Sequence, residues 1–78
     1  MRAGSRARKQ VRQQLVDDVF DAYRRWRDES AEVRRTYDRW ASSARDVRRT
    51  WRDDYRAALE REESAACLYE QLLGRLAA

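Results

Sequence analysis

Residues 16–51 read VDDVFDAYRRWRDESAEVRRTYDRWASSARDVRRTW. Through them runs a stripe made of Val16, Val19, Tyr23, Trp26, Ser30, Val33, Tyr37, Trp40, Ala44, Val47 and Trp51. Successive members are alternately three and four residues apart, and only Ser30 is polar. That is the a/d seam of an α-helix, held for five heptads. The period of two that a half-buried strand requires is absent.

Beyond Trp51 the phase slips by one residue and continues as Tyr55, Ala58, Glu62, Ala65 or Ala66, Tyr69, Leu72 or Leu73, and Leu76. Such a slip marks a stutter, or a point where the helix meets a new neighbour. A fourteen-residue repeat underlies the stripe: Val19–Tyr23 matches Val33–Tyr37 and then Val47–Trp51, with Trp26 and Trp40 following the first two copies. The outer positions carry charges of both signs. Asp21–Arg25, Arg34–Asp38, Arg49–Asp53 and Arg56–Glu60 have the i,i+4 spacing of surface ion pairs.

One place favours a break, Ala41-Ser42-Ser43-Ala44. Ser43 with Asp46 resembles a capping box, and paired serines suit a cap better than a helix interior. The expected fold is all-α: an antiparallel hairpin with helices at about 10–41 and 44–76 and a turn near 41–44. A fold-back at 42–43 sets Trp40 near Ala44, Val33 against Trp51, Ser30 against Tyr55, Phe20 against Ala65 and Val16 against Tyr69, so that large residues face small ones. The alternative is one long coiled-coil helix.

A chain of 78 residues forms one small domain whose core is marginal without extra support. A single cysteine, Cys67, rules out an internal disulfide, and the absence of His argues against zinc. Oligomerisation is the remaining support. Eight aromatic residues would each bury about 150–250 Å² if covered, and one hairpin leaves half of each stripe wet. The expected assembly is therefore a homodimer, a four-helix bundle, or a complex with a helical protein partner. Its interface is expected to use Phe20, Tyr23, Trp26, Val33, Tyr37, Trp40, Val47, Trp51, Tyr55, Leu59, Tyr69 and Leu73.

Charge is unevenly spread. Residues 1–14 hold Arg2, Arg6, Arg8, Lys9 and Arg12 and no acid, whereas the remainder holds thirteen Arg against fourteen Asp and Glu. Residues 1–9 read as a basic, flexible arm before a single helical domain at 10–76 with its turn near 41–44. Cations at a helix N-terminus oppose its dipole, so a contact between these five residues and an anionic partner, including nucleic acid through its phosphates, is the functional alternative. The arm has no aromatic residue for base stacking.

Nothing in the chain forms a catalytic, cofactor or metal pattern. There is no Gly-rich loop, and Glu62 is the one acid placed inward, expected to pair with a nearby Arg or to lie near the opening of the bundle. Cys67 lies beside the stripe and reads as a buried structural thiol, with Gly74 loosening the last helical turn. The expectation is a protein without enzymatic activity or cofactor. No apolar run is long enough to span a bilayer, so a cytoplasmic location is expected.

Residues 55–63 (YRAALEREE), with Trp40-Ala41-Ser42-Ser43 before them, resemble small uncharacterised Arg-rich helical proteins of actinobacteria. The likeness spans about residues 20–76 and implies no activity. The reading as a whole is a non-enzymatic protein–protein interaction module: a self-associating hairpin acting as scaffold, adaptor, regulator or small subunit of an assembly.

Overall fold

The structure, a computed structural model, describes residues 2–78; the side chains of Arg2, Ala3 and Ser5 lie outside the described residues. Two helices account for nearly all of it, α1 (Arg2–Ser42) and α2 (Arg48–Ala77). They pack as an antiparallel hairpin measuring 67 × 14 × 14 Å. Proline is absent, and Arg, Ala, Gln, Glu and Leu, all strong helix formers, fill both segments.

α1 begins at Arg2, well before the start expected near residue 10. The stretch read as an arm is thus continuous with the helix, because Arg6-Ala7-Arg8-Lys9-Gln10 contains no residue that breaks one. With 41 residues against 30, α1 outruns α2 by roughly three turns. Leu15 and Leu76 pack on the cluster of Val19, Ala22 and Leu72 at this open end of the hairpin.

The serine pair closes α1 instead of opening α2. Ser42 Oγ donates to the Asp38 carbonyl at 2.7 Å, and Ser43 Oγ donates to the Trp40 carbonyl at 2.8 Å. Carbonyls of a last helical turn lack backbone partners, and a nearby hydroxyl satisfies them. The expected capping box of Ser43 and Asp46 does not form. α2 starts at Arg48, behind an N-cap, Val47, that makes no side-chain cap. The connection is therefore 43–47, and Ala44 and Val47 leave the stripe to become exposed turn residues.

A later fold-back shifts the register. Trp40 meets Tyr55, not Ala44, and Tyr69 meets Tyr23 and Trp26, not Val16. At these levels large residues face large ones. The space for them comes from small residues in between: Ala58 and Ala65 are 0% and 2% exposed, and Ala22 and Thr36 are also buried.

The inner face of α1 is also rotated from the expected stripe. Val19, Ala22, Trp26, Glu29, Val33, Thr36 and Trp40 are buried or half-buried along it, and Tyr23 and Tyr37 move to its exposed edge. Small side chains at 22 and 36 allow close approach of the two backbones, which rings at 23 and 37 would prevent. The buried Thr36 hydroxyl is satisfied by donation to the carbonyls of Glu32 and Val33. On α2 the seam follows the expected slipped phase through Tyr55, Ala58, Glu62, Ala65, Tyr69, Leu72 and Leu76.

The four expected i,i+4 ion pairs do not form. The pairs among the described residues are Asp21–Arg24 at 3.6 Å, Glu32–Arg35 at 2.8 Å and the cross-helix Glu29–Arg61 at 3.3 Å. Exposed pairs contribute little, so the choice among neighbouring partners is weakly determined.

Close helix approach at Ala58 and Ala65 has a direct test. Ala58→Leu and Ala65→Leu are each expected to cost about 1–3 kcal/mol by overpacking, read as a lower thermal midpoint in circular dichroism. Ala41→Leu, at an exposed position, should leave the midpoint nearly unchanged.

Candidate functional site

Two matching aromatic clusters bridge the helices. Tyr23, Trp26 and Tyr69 have ring centroids 6.1, 5.6 and 5.7 Å apart. Tyr37, Trp40 and Tyr55 have centroids 6.0, 5.6 and 5.5 Å apart. Tyr37 and Trp40 lie two heptads after Tyr23 and Trp26, and Tyr55 lies two heptads before Tyr69. The fourteen-residue repeat is thus a pair of corresponding rungs, except that Trp26 stacks on Tyr69 at 27° whereas Trp40 meets Tyr55 edge-on at 65°; such ring packing adds about 0.5–1.5 kcal/mol per pair beyond area burial.

Midway between the rungs, one heptad from each, sit Ser30 and Glu62. Glu62 Oε1 accepts hydrogen bonds from Trp26 Nε1 at 3.0 Å and from Ser30 Oγ at 3.4 Å. The expected Arg partner is not used: the adjacent Arg61 reaches across to Glu29 instead. Sliding the helices by one heptad would carry Glu62 away from Ser30 and set a tyrosine against the serine. A polar layer of this kind specifies register, at some cost in stability.

The two flanks of the hairpin differ in chemistry. Tyr23 and Tyr37 lie on the edge of α1 that touches Tyr69 and Tyr55. Leu59 and Leu73 follow Tyr55 and Tyr69 by four residues, which places them beside those rings on the same side of α2. These four apolar residues remain 38–49% exposed. Phe20, one turn before Tyr23, is exposed as well. The other flank carries the Glu29–Arg61 pair, with the Arg39 guanidinium 5.5 Å from the Trp51 ring centroid. One side is aromatic and aliphatic; the other is mainly charged, with Leu68 exposed beside Asp18, Asp21 and Arg25.

Of the residues expected at an interface, Trp26, Val33, Trp40, Trp51, Tyr55 and Tyr69 are half-buried between α1 and α2. Phe20, Tyr23, Tyr37, Leu59 and Leu73 form the exposed flank, and Val47 stands apart in the connection. Arg6, Arg8, Lys9 and Arg12 are exposed on the overhang of α1, and the side chain of Arg2 lies outside the described residues. Cys67, expected to be buried, is exposed, because Ala65 and Tyr69 on either side of it face α1 and turn residue 67 outward. Gly74 sits inside α2, and its carbonyl accepts from the Ala78 amide at 3.1 Å. A basic cluster at the connection, Arg45, Arg48, Arg49 and Arg52, was not singled out by the heptad reading, which treats such residues as outer-face charge.

Among the described residues, no group of three or more His, Cys, Asp or Glu is placed to hold a metal ion. Nor, among the described residues, is any helix long and apolar enough to cross a membrane. The fold and its flanks define the chain as a two-helix antiparallel hairpin with one apolar side. Neither protein-family models, nor curated proteins, nor solved structures match it.

The polar layer is tested at Glu62. Glu62→Ala strands the Trp26 indole N–H and is expected to lower the unfolding free energy by about 1–2 kcal/mol, measured in urea. Glu62→Gln retains an acceptor oxygen and should lose less. Equal stability of wild type and both variants would remove the layer from the account.

Proposed function

We propose that this chain is a non-enzymatic protein–protein interaction module that self-associates, two hairpins packing apolar flank to apolar flank as a dimeric four-helix bundle. In that form it serves as a scaffold, adaptor, regulator or small subunit of an assembly. The observation that carries this reading is the exposed strip of Tyr23, Tyr37, Leu59 and Leu73.

The area comparison supports it. The chain exposes 6616 Å², whereas a compact monomer of its 9.4 kDa mass would expose about 5,000 Å². Part of the excess is the α1 overhang. The rest lies on the long flanks, and a stable interface needs about 800 Å² from each partner. The two rungs stand at equal distances from the Ser30–Glu62 layer, so a two-fold-related copy meets matching features along the strip.

A second reading rests on the overhang. Arg6, Arg8, Lys9 and Arg12 are exposed there, and no acid precedes Asp17. Nucleic acid bound through its phosphates would suit this end, with affinity falling as salt rises.

Sedimentation equilibrium at micromolar concentration is expected to give twice the chain mass. Leu59→Arg with Leu73→Arg should shift the species to monomer while helicity is retained, since both residues lie outside the seam. A wild-type monomer that is fully folded at that concentration would sink the proposal.

A further inference from the structure

The connection end of the hairpin carries a second basic feature, distinct from the overhang at the opposite end. An open depression of about 440 Å³ is lined by Trp40, Arg45, Arg48, Arg49 and Arg52. All four arginines are exposed, and none belongs to an ion pair among the described residues. Asp46 is the sole acid between residues 43 and 52.

These cations are placed against the local field. Arg48, Arg49 and Arg52 occupy the first turns of α2, where the helix dipole disfavours positive charge. No acid lies in that first turn to offset them, and the Val47 N-cap offers no side-chain acceptor to the free amides. Each cation there is unfavourable in the absence of an anion. Packing gives no return, since none of the four contributes to the seam. A bound anion would reverse the balance: it would be attracted by the guanidinium groups and by the dipole together. The half-buried Trp40 also lines the depression, beside the four guanidinium groups.

We infer that this depression binds phosphate groups, with Arg45, Arg48, Arg49 and Arg52 as the ligating side chains. Guanidinium forks match phosphate oxygens in bidentate geometry. Four of them around an open, uncovered site suit a ligand with several successive phosphates. Two sources share that chemistry, the backbone of a single-stranded nucleic acid and a free polyphosphate. The site does not depend on self-association.

The test uses the full chain and two probes, a fluorescein-labelled single-stranded oligonucleotide read by anisotropy and inorganic tripolyphosphate read by calorimetry. The triple variant Arg48→Ala, Arg49→Ala, Arg52→Ala is compared with wild type and with Arg6→Gln, Arg8→Gln, Lys9→Gln, Arg12→Gln. At low salt the turn variant is expected to bind the oligonucleotide at least about tenfold more weakly. Its plot of log affinity against log salt should flatten by about 2, from three lost contacts at about 0.7 each. The overhang variant should keep the turn-dependent part of the binding. Removing three cations from the positive end of α2 should also raise the thermal midpoint without ligand, so a loss of binding cannot be misread as unfolding. Binding of tripolyphosphate alone, with displacement of the oligonucleotide, identifies free polyphosphate as sufficient; binding of the oligonucleotide only identifies the strand. Wild-type affinity in the turn variant for both probes, or no binding of either probe by the wild type, overturns the inference.

Discussion

Two helices share a single line of contact, and that line is too narrow to enclose eight aromatic side chains. The rest of the structure follows from how this limit is met. Alanine and threonine occupy the closest approach at Ala22, Thr36, Ala58 and Ala65. The rings are displaced to one side, where they gather as two rungs spanning both helices. Among the described residues five hydrophobic ones are buried, a small core for a hairpin of this length, and the apolar material left outside lies mostly on one flank. In the proposed dimer, a second copy of that flank would supply the missing cover at no further cost in chain length.

The polar layer gives this arrangement its register. Aromatic rungs repeated at fourteen residues could pair in more than one alignment, and heptad packing alone discriminates poorly among them. Glu62 resolves the choice because it needs donors, and only one alignment brings Trp26 Nε1 and Ser30 Oγ to it together. Helix ends follow a similar logic. Ser42 and Ser43 satisfy α1 carbonyls and so stop that helix, which leaves α2 to begin at an arginine-rich and uncapped turn.

Much of the fold was legible from spacing. The helical state, the α2 seam and the interior position of Glu62 follow from a period near 3.5 and a one-residue slip, and the break between two helices from the Ser42-Ser43 pair. The partner of Glu62 was not legible, because a carboxylate on an inner face suggests a cation, whereas here an indole N–H and a hydroxyl reach it first. Tyr23 and Tyr37 were read as seam residues on hydrophobicity, yet size moved them to the edge. The same spacing rule placed Cys67 beside the stripe, and the seam at Ala65 and Tyr69, on either side of it, leaves it facing solvent.

What the amino-acid order alone determined is the helical state, the two-faced character of each helix and the fourteen-residue recurrence of Tyr and Trp. These are local properties, set by propensity and by the geometry of 3.6 residues per turn. Tertiary structure alone decided which residues meet, where the chain reverses and which flank stays bare. Those outcomes depend on volume and hydrogen bonding between segments far apart in sequence: a serine closes a helix or caps one, and an alanine admits a neighbour or does not, according to what stands across from it.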